Sequence, residues 1–210
     1  MILQDEEQAR AYCAKLTDAA GMARLERLAA MVVAENTRQN LIAKASERDI
    51  WVRHLADSAQ LLGSVPRETK SPWLDLGTGA GFPGLVIAAL RPDLDLVLVE
   101  SRKKRVDWLN GAAEGLGLTK CRTEGRRLEH VDSFDAATIS ARAFAPLPKL
   151  FALSARFSTR DTLWLLPKGR SAVQEVASLP AEVGRLFHVE QSATDPDAGI
   201  VIGTGRPDSA

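Results

Sequence analysis

Apolar and polar positions change their spacing along the chain, and the change divides it. Met22, Leu25, Leu28, Ala29 and Val32 recur at three- and four-residue steps, which gathers them on one face and predicts a helix from Glu7 to Gln39. A second helix is predicted from Glu47 to Leu62, with Ser46 as its N-cap and Asp49 three residues later; Gly63-Ser64-Val65-Pro66 ends it. Residues 66–72 read as a polar linker, so residues 1–70 are expected to form an N-terminal helical extension.

After this linker, short apolar runs alternate with helical segments, the texture of parallel βαβ units. Strands are predicted at Trp73 to Leu76, Leu96 to Glu100, Lys120 to Glu124, Phe134 to Ser140 and Thr162 to Leu166, with helices at Gly84 to Leu90 and Lys103 to Leu116. Two further runs, Leu186 to Gln191 and Gly199 to Gly203, are joined by Thr194-Asp195-Pro196-Asp197-Ala198, too short for a helical crossover. They predict an antiparallel hairpin at the sheet edge. The expected architecture is an α/β, Rossmann-like domain over residues 71–207, with a mostly parallel seven-stranded sheet ending in that hairpin.

Composition narrows the function. The chain has 210 residues, 45% of them hydrophobic, enough for one substantial core. Runs such as Leu96 to Val99 are far shorter than the roughly 20 residues that span a bilayer, so no membrane association is expected. The opening Met1-Ile2-Leu3-Gln4-Asp5-Glu6-Glu7 is acidic and does not read as a secretory signal, which points to a cytoplasmic protein. Cys13 and Cys121, with His54, His130 and His188, have no metal-ligand spacing; no metal site is expected. With 27 basic and 27 acidic residues, any contact with nucleic acid must be local, at Arg102-Lys103-Lys104-Arg105 or at Arg122 with Arg126-Arg127. Such short charge runs also occur as solvated helix faces.

The chemistry is concentrated in Asp75-Leu76-Gly77-Thr78-Gly79-Ala80-Gly81-Phe82-Pro83-Gly84. A strand that enters a glycine-rich turn and then a helix lets backbone approach a ligand closely, because glycine accepts positive φ and has no Cβ to collide. Gly79 to Gly84 also fits the dinucleotide pattern G-x-G-x-x-G, so a nicotinamide-dependent oxidoreductase is an alternative. In such a site the first glycine ends the strand, whereas here the apolar strand already stops at Gly77. The arrangement Asp75-x-Gly77-x-Gly79-x-Gly81 instead resembles motif I of class I S-adenosylmethionine-dependent methyltransferases. Glu100, closing the second apolar run 19 residues after Gly81, suits a carboxylate that accepts from ribose hydroxyls in either cofactor. The fourth run ends in Ser140-Ala141-Arg142-Ala143-Phe144-Ala145, where amino-methylating enzymes of this fold carry an Asn/Asp-Pro-Pro-aromatic motif that is absent here. Guanine N7 has an in-plane lone pair and no proton to lose, so it needs positioning rather than a base. Arg142 and Lys168 are the candidate catalytic residues, although an arginine that forks onto both O6 and N7 would block the transfer.

Taken in order, Asn40-Leu41-Ile42, His54-Leu55-Ala56-Asp57-Ser58, the Asp75 to Gly84 loop, Lys104-Arg105-Val106, Arg142-Ala143-Phe144-Ala145 and Lys168-Gly169 resemble the successive signatures of the RsmG (GidB) family, over residues 20–170. The resemblance implies a class I methyltransferase that transfers methyl from S-adenosylmethionine to N7 of a guanine in 16S ribosomal RNA, naked or in the small ribosomal subunit, acting as a monomer. It also implies cofactor contacts at Gly77, Gly79, Gly81, Phe82, Glu100, Arg127, Leu128 and Arg142, and substrate contacts at Asn40, His54 and Lys168. Ile42 departs from the family pattern, which often has threonine there. His54, Asp57 and Ser58 share one helical face, which fits either a site or a polar network docking the helix on the sheet.

Overall fold

Asp18 breaks the expected N-terminal helix in two. In the computed structural model, which describes residues 2–66, 69 and 71–207, α1 covers Glu6–Ala14 and α2 covers Ala19–Glu35. Asp5 caps α1, and the Asp18 side chain accepts from the Gly21 N–H at 2.8 Å to start α2. A helix N-terminus leaves its first N–H groups without partners, and a short carboxylate beside them competes well against continuing the preceding helix. α2 ends four residues before Gln39, and the chain beyond it is folded by Asn36, whose Oδ1 accepts from the N–H groups of Leu41 and Ile42.

The second helix also departs from expectation. Ser46 sits in a 3-10 turn, Lys44–Ser46, and its hydroxyl donates to the Ala43 carbonyl instead of capping. The helical stretch that follows is π-helical over Trp51–Ala56, passes through one α turn (α3, Asp57–Ala59), and closes as a 3-10 helix over Gln60–Ser64. Its cap comes from a distant part of the chain. The Glu6 carboxylate accepts from the Trp51 and Val52 N–H groups at 3.0 and 2.9 Å, and Arg10 lies 4.1 Å over the Trp51 ring. Of the expected linker at 66–72, residues 67, 68 and 70 lie outside the described residues.

Seven strands form one sheet in the order β3-β2-β1-β4-β5-β7-β6, with β1 Trp73–Leu76, β2 Leu96–Val99, β3 Cys121–Glu124, β4 Thr138–Ala141, β5 Leu163–Lys168, β6 Phe187–Gln191 and β7 Gly199–Thr204. β1 to β5 run parallel, while β7 is antiparallel to both β5 and β6. The hairpin is present as expected, with β7 inserted and β6 on the edge. Phe134 to Ala137 lie before β4 rather than in it, and Glu100 and Lys120 fall just outside their strands. The remaining helices are α4 Gly84–Leu90, α5 Lys103–Gly115, α6 Leu147–Ser154, α7 Ala172–Ala177 and α8 Ala181–Gly184.

Alternation along the strands supplies two cores. Trp73, Leu96 and Leu98 face a cluster shared with Leu25, Leu28 and Leu55 of the N-terminal helices, whereas Leu74, Leu76 and Val97 face Ile139, Phe151 and Trp164. The N-terminal helices therefore cover one sheet face. Among the described residues no helix is long and apolar enough to cross a membrane.

Candidate functional site

The carboxyl ends of β1, β2 and β4 converge on the glycine loop, and a buried acid holds its base. Asp75 is fully buried; its Oδ2 accepts from the Gly84 N–H at 3.0 Å, and its Oδ1 accepts from the Ser140 hydroxyl at 2.6 Å, which in turn takes the Trp73 indole N–H at 2.9 Å. Burial pushes the Asp75 carboxyl up to about 6, against the bonds from Ser140 and Gly84 that lower it. Gly84 has no room for a side chain: a Cβ there would lie 2.7 Å from Asp75 Oδ2.

Gly77 and Gly79 adopt φ of +62° and +58°, the left-handed region that side chains disfavour. A Cβ on Gly77 would lie 2.5 Å from the Phe144 ring, and one on Gly79 would lie 3.3 Å from Arg105 Nη1. Both glycines line a cleft of about 420 Å³ together with Glu100, Arg105, Arg127 and Leu128. Glu100 is 9% exposed, and its Oε1 accepts from the N–H groups of Ser101 and Arg102 at 2.7 and 2.9 Å, so the carboxylate is fixed where α5 begins. Burial holds the Arg105 guanidinium below its ordinary value, while its Nη2 donates to the Asn40 carbonyl at 2.7 Å.

A second cleft, about 620 Å³, opens beside β4 and β5 and is lined by Arg53, Asp57, Arg142, Lys168, Thr194 and Asp195 among others. Ala143, Phe144 and Ala145 line both clefts, so this short segment is the wall between them. Ala143 takes φ of +53°, a strained conformation for a residue with a Cβ, and the strain is held where the two clefts meet.

Arg142 and Lys168 in the second cleft are tethered. Arg142 Nη1 donates to Asp57 Oδ2 at 2.9 Å and to the Arg53 carbonyl at 3.2 Å, Nη2 meets His54 Nδ1 at 3.2 Å, and the guanidinium carbon lies 5.2 Å from the Phe82 ring centre. Lys168 Nζ donates to the Ala145 carbonyl at 2.7 Å and to Glu175 at 2.9 Å. Burial alone would raise Glu175, but the bonds from Lys168, Ser171 and the Leu147 N–H outweigh it and keep the carboxyl below its ordinary value. His54 stacks on Phe82 with ring centres 5.0 Å apart and meets the Ser46 hydroxyl at 3.1 Å. Ser46 already gives its proton to Ala43, so His54 Nε2 must be the donor and Nδ1 the acceptor facing Arg142. Burial, then the charges of Arg142 and Arg53, push His54 down to about 3, so it is neutral at any ordinary pH.

Comparison with known proteins then places the chain. The family described as "rRNA small subunit methyltransferase G" (GidB) matches residues 22–195, which is most of the sequence. The chain belongs to this family. A ribosomal RNA small subunit methyltransferase G from Erythrobacter litoralis is 56% identical over 205 residues, covering 98% of this chain and 99% of that protein. One of the same name from Novosphingobium aromaticivorans is 54% identical, covering 97% and 90%. Solved structures share the fold at low identity. Precorrin-6y C5,15-methyltransferase from Geobacter metallireducens has a TM-score of 0.56 at 12% identity, covering 80% of this chain and 92% of that one. An MtNAS mutant in complex with S-adenosylmethionine has a TM-score of 0.56 at 13% identity, covering 96% and 78%.

Within this family's fold, the residues singled out from sequence fall in four places. Gly77, Gly79, Glu100, Arg127 and Leu128 line the first cleft, and Arg142 and Lys168 line the second. Gly81 and Phe82 pack behind the loop: a Cβ on Gly81 (φ +104°) would lie 2.4 Å from Leu85, and Phe82 is covered by His54 and Arg142. Asn40 is exposed, and its carbonyl takes the Arg105 bond. Sequence reasoning put Arg105 in a candidate nucleic-acid patch, whereas it lines the first cleft, and it missed Thr194, whose hydroxyl donates to Asp57 at 2.8 Å.

Proposed function

We infer that this chain transfers a methyl group from S-adenosylmethionine to N7 of a guanine in 16S ribosomal RNA, as a cytoplasmic monomer. The observation that carries this reading is the pair of clefts that share the wall Ala143–Ala145, the first lined by Gly77, Gly79 and Glu100 and the second by Arg142 and Lys168. The first cleft fits the cofactor: Gly77 and Gly79 leave backbone where a Cβ would stand, and the Glu100 carboxylate is fixed at the end of β2, where ribose hydroxyls bind in this fold class. Bound there, S-adenosylmethionine supplies an electrophilic methyl on a sulfonium.

The wall residues offer no amide or acid side chain, so nothing on this segment accepts a proton from an attacking amine. That suits N7, which attacks with its lone pair and releases no proton. Arg142 supplies the donor that holds the base. Three of its N–H bonds are committed to Asp57, the Arg53 carbonyl and His54, and the remaining ones serve O6 without occupying N7. Lys168 fixes the wall through the Ala145 carbonyl while its charge is paired with Glu175. Because the total charge is unchanged by the transfer, a nearby cation repels ground state and transition state alike, and its positioning role dominates.

The test is acceptor choice. Purified protein given methyl-labelled S-adenosylmethionine should label 16S RNA or small subunits and leave a low-molecular-weight metabolite fraction unlabelled. Label in metabolites alone would make it a small-molecule enzyme.

A further inference from the structure

Asp57 stands at a junction that the chemistry above leaves unassigned. Its carboxylate receives donors from three parts of the fold: Arg142 after β4 on Oδ2, and Gln60 Nε2 and the Thr194 hydroxyl on Oδ1, the last from the β6–β7 loop 137 residues away. Gln60 adds to the same junction, since its Oε1 accepts from the Ala193 N–H at 2.7 Å. Arg142, Asp57 and Thr194 all line the second cleft. The Asp57 and Arg142 side chains are 19% and 22% exposed, so each shields the other from water and neither charge is easily left alone.

We propose that Asp57 is a positioning residue for methyl transfer: it aims the Arg142 guanidinium at the substrate base and, through Thr194, latches the β6–β7 loop over the same cleft. The proposal rests on the reading of that cleft as the guanine site. The two oxygens divide the work. Oδ2 fixes the cation, and Oδ1 fixes the loop, so the cation and the loop that bound the base are set by one group. The strand order makes this geometry sensible: β4, β5 and β7 are neighbours, so the loop before β7 stands two strand spacings, roughly 10 Å, from the wall after β4, about the span of a purine with its contacts. His54 reports on the arrangement. Its Nδ1 accepts from Arg142, and the Arg142 charge is one reason it stays neutral, so any release of Arg142 must raise the His54 pKa from about 3.

Asp57→Asn tests this. The amide retains an oxygen for Thr194 but turns an NH2 toward Arg142, donor against donor, while the first cleft is untouched. The expected result is a fall of at least tenfold in the single-turnover methylation rate of small-subunit RNA, S-adenosylmethionine affinity within about twofold of the parent, and a His54 pKa, followed by NMR of the ring protons, that rises above the parent's. Thr194→Val should slow methylation to a lesser degree and leave the His54 pKa where it is. In an Arg142→Gln background, Asp57→Asn should cost little further. If Asp57→Asn does not fold, Asp57→Glu, which displaces the same charge by one methylene, gives the same readouts. A parent-like rate with an unmoved His54 pKa, or additive losses in the double variant, would overturn the proposal. If the parent protein itself put no methyl on RNA, the guanine reading would fail, and the His54 titration would still decide whether Asp57 holds Arg142.

Discussion

Glycine at 79 and glutamate at 100 make opposite contributions to one cleft, the first by having no side chain and the second by having a fixed one. Gly79→Val adds a branched side chain at φ +58° and 3.3 Å from Arg105, so S-adenosylmethionine affinity measured by calorimetry should fall at least about tenfold while the fold persists. Glu100→Gln keeps an acceptor for the Ser101 and Arg102 N–H groups but removes the charge, and should weaken binding by about 1.5 kcal/mol. An unchanged affinity in the Glu100 variant would make the carboxylate purely an anchor for α5. Asp75 carries a pH signature. Its folded-state pKa of about 6 lies above its unfolded value of about 4, so its stabilising effect is complete below the lower value and is lost as pH rises through the higher one. Asp75→Asn should therefore gain stability relative to the parent, on the order of 2 kcal/mol, between pH 4 and pH 7, as measured by urea unfolding at each pH. A constant difference across that range would mean Asp75 does not titrate there. These loop residues were legible in the sequence because the pattern is local: strand, glycines and acid follow one another within a few dozen positions. The Arg142–Asp57 pair, 85 residues apart, and Thr194, 137 residues from Asp57, have no such signal and appear only when the chain is folded.

At the scale of elements, helical periodicity located the N-terminal helices but not their ends. Asp18 has the same composition cue as any polar residue on a helix face, and only the observed bond to Gly21 shows that it starts a new helix. Ser46 looked like a cap because serine three residues before an acid often is one; the real cap, Glu6, comes from α1 and cannot be read from neighbours in sequence. The π-helical turn it caps carries Arg53 and His54, and wide turns of this kind recur at functional sites. Glu6→Ala leaves two N–H groups without their acceptor and should destabilise the protein by about 1–2 kcal/mol in denaturant titration. A change within about 0.3 kcal/mol would mean solvent replaces the carboxylate freely. The central strands were easier to find, since β1, β2, β4 and β5 are short runs buried almost throughout, and the short loop between the last two strands fixed them as a hairpin. That β7 inserts between β5 and β6 is a property of pairing, not of either run.

The whole molecule is organised by one sheet whose carboxyl edge meets two clefts, with the N-terminal helices closing one face, delivering Arg53 and Asp57 to the second cleft and setting His54 against Arg142. Family membership covers most of the chain, and the central claim is narrower: that the wall Ala143–Ala145 directs transfer to guanine N7. The most direct measurement is the position of the methyl group. Small-subunit RNA methylated by the purified protein should, after nuclease digestion and mass spectrometry against synthetic standards, yield 7-methylguanosine from a single oligonucleotide, with none from the RNA incubated without protein. Methyl on an exocyclic amine, on a ribose hydroxyl, or on no nucleoside at all would contradict the account.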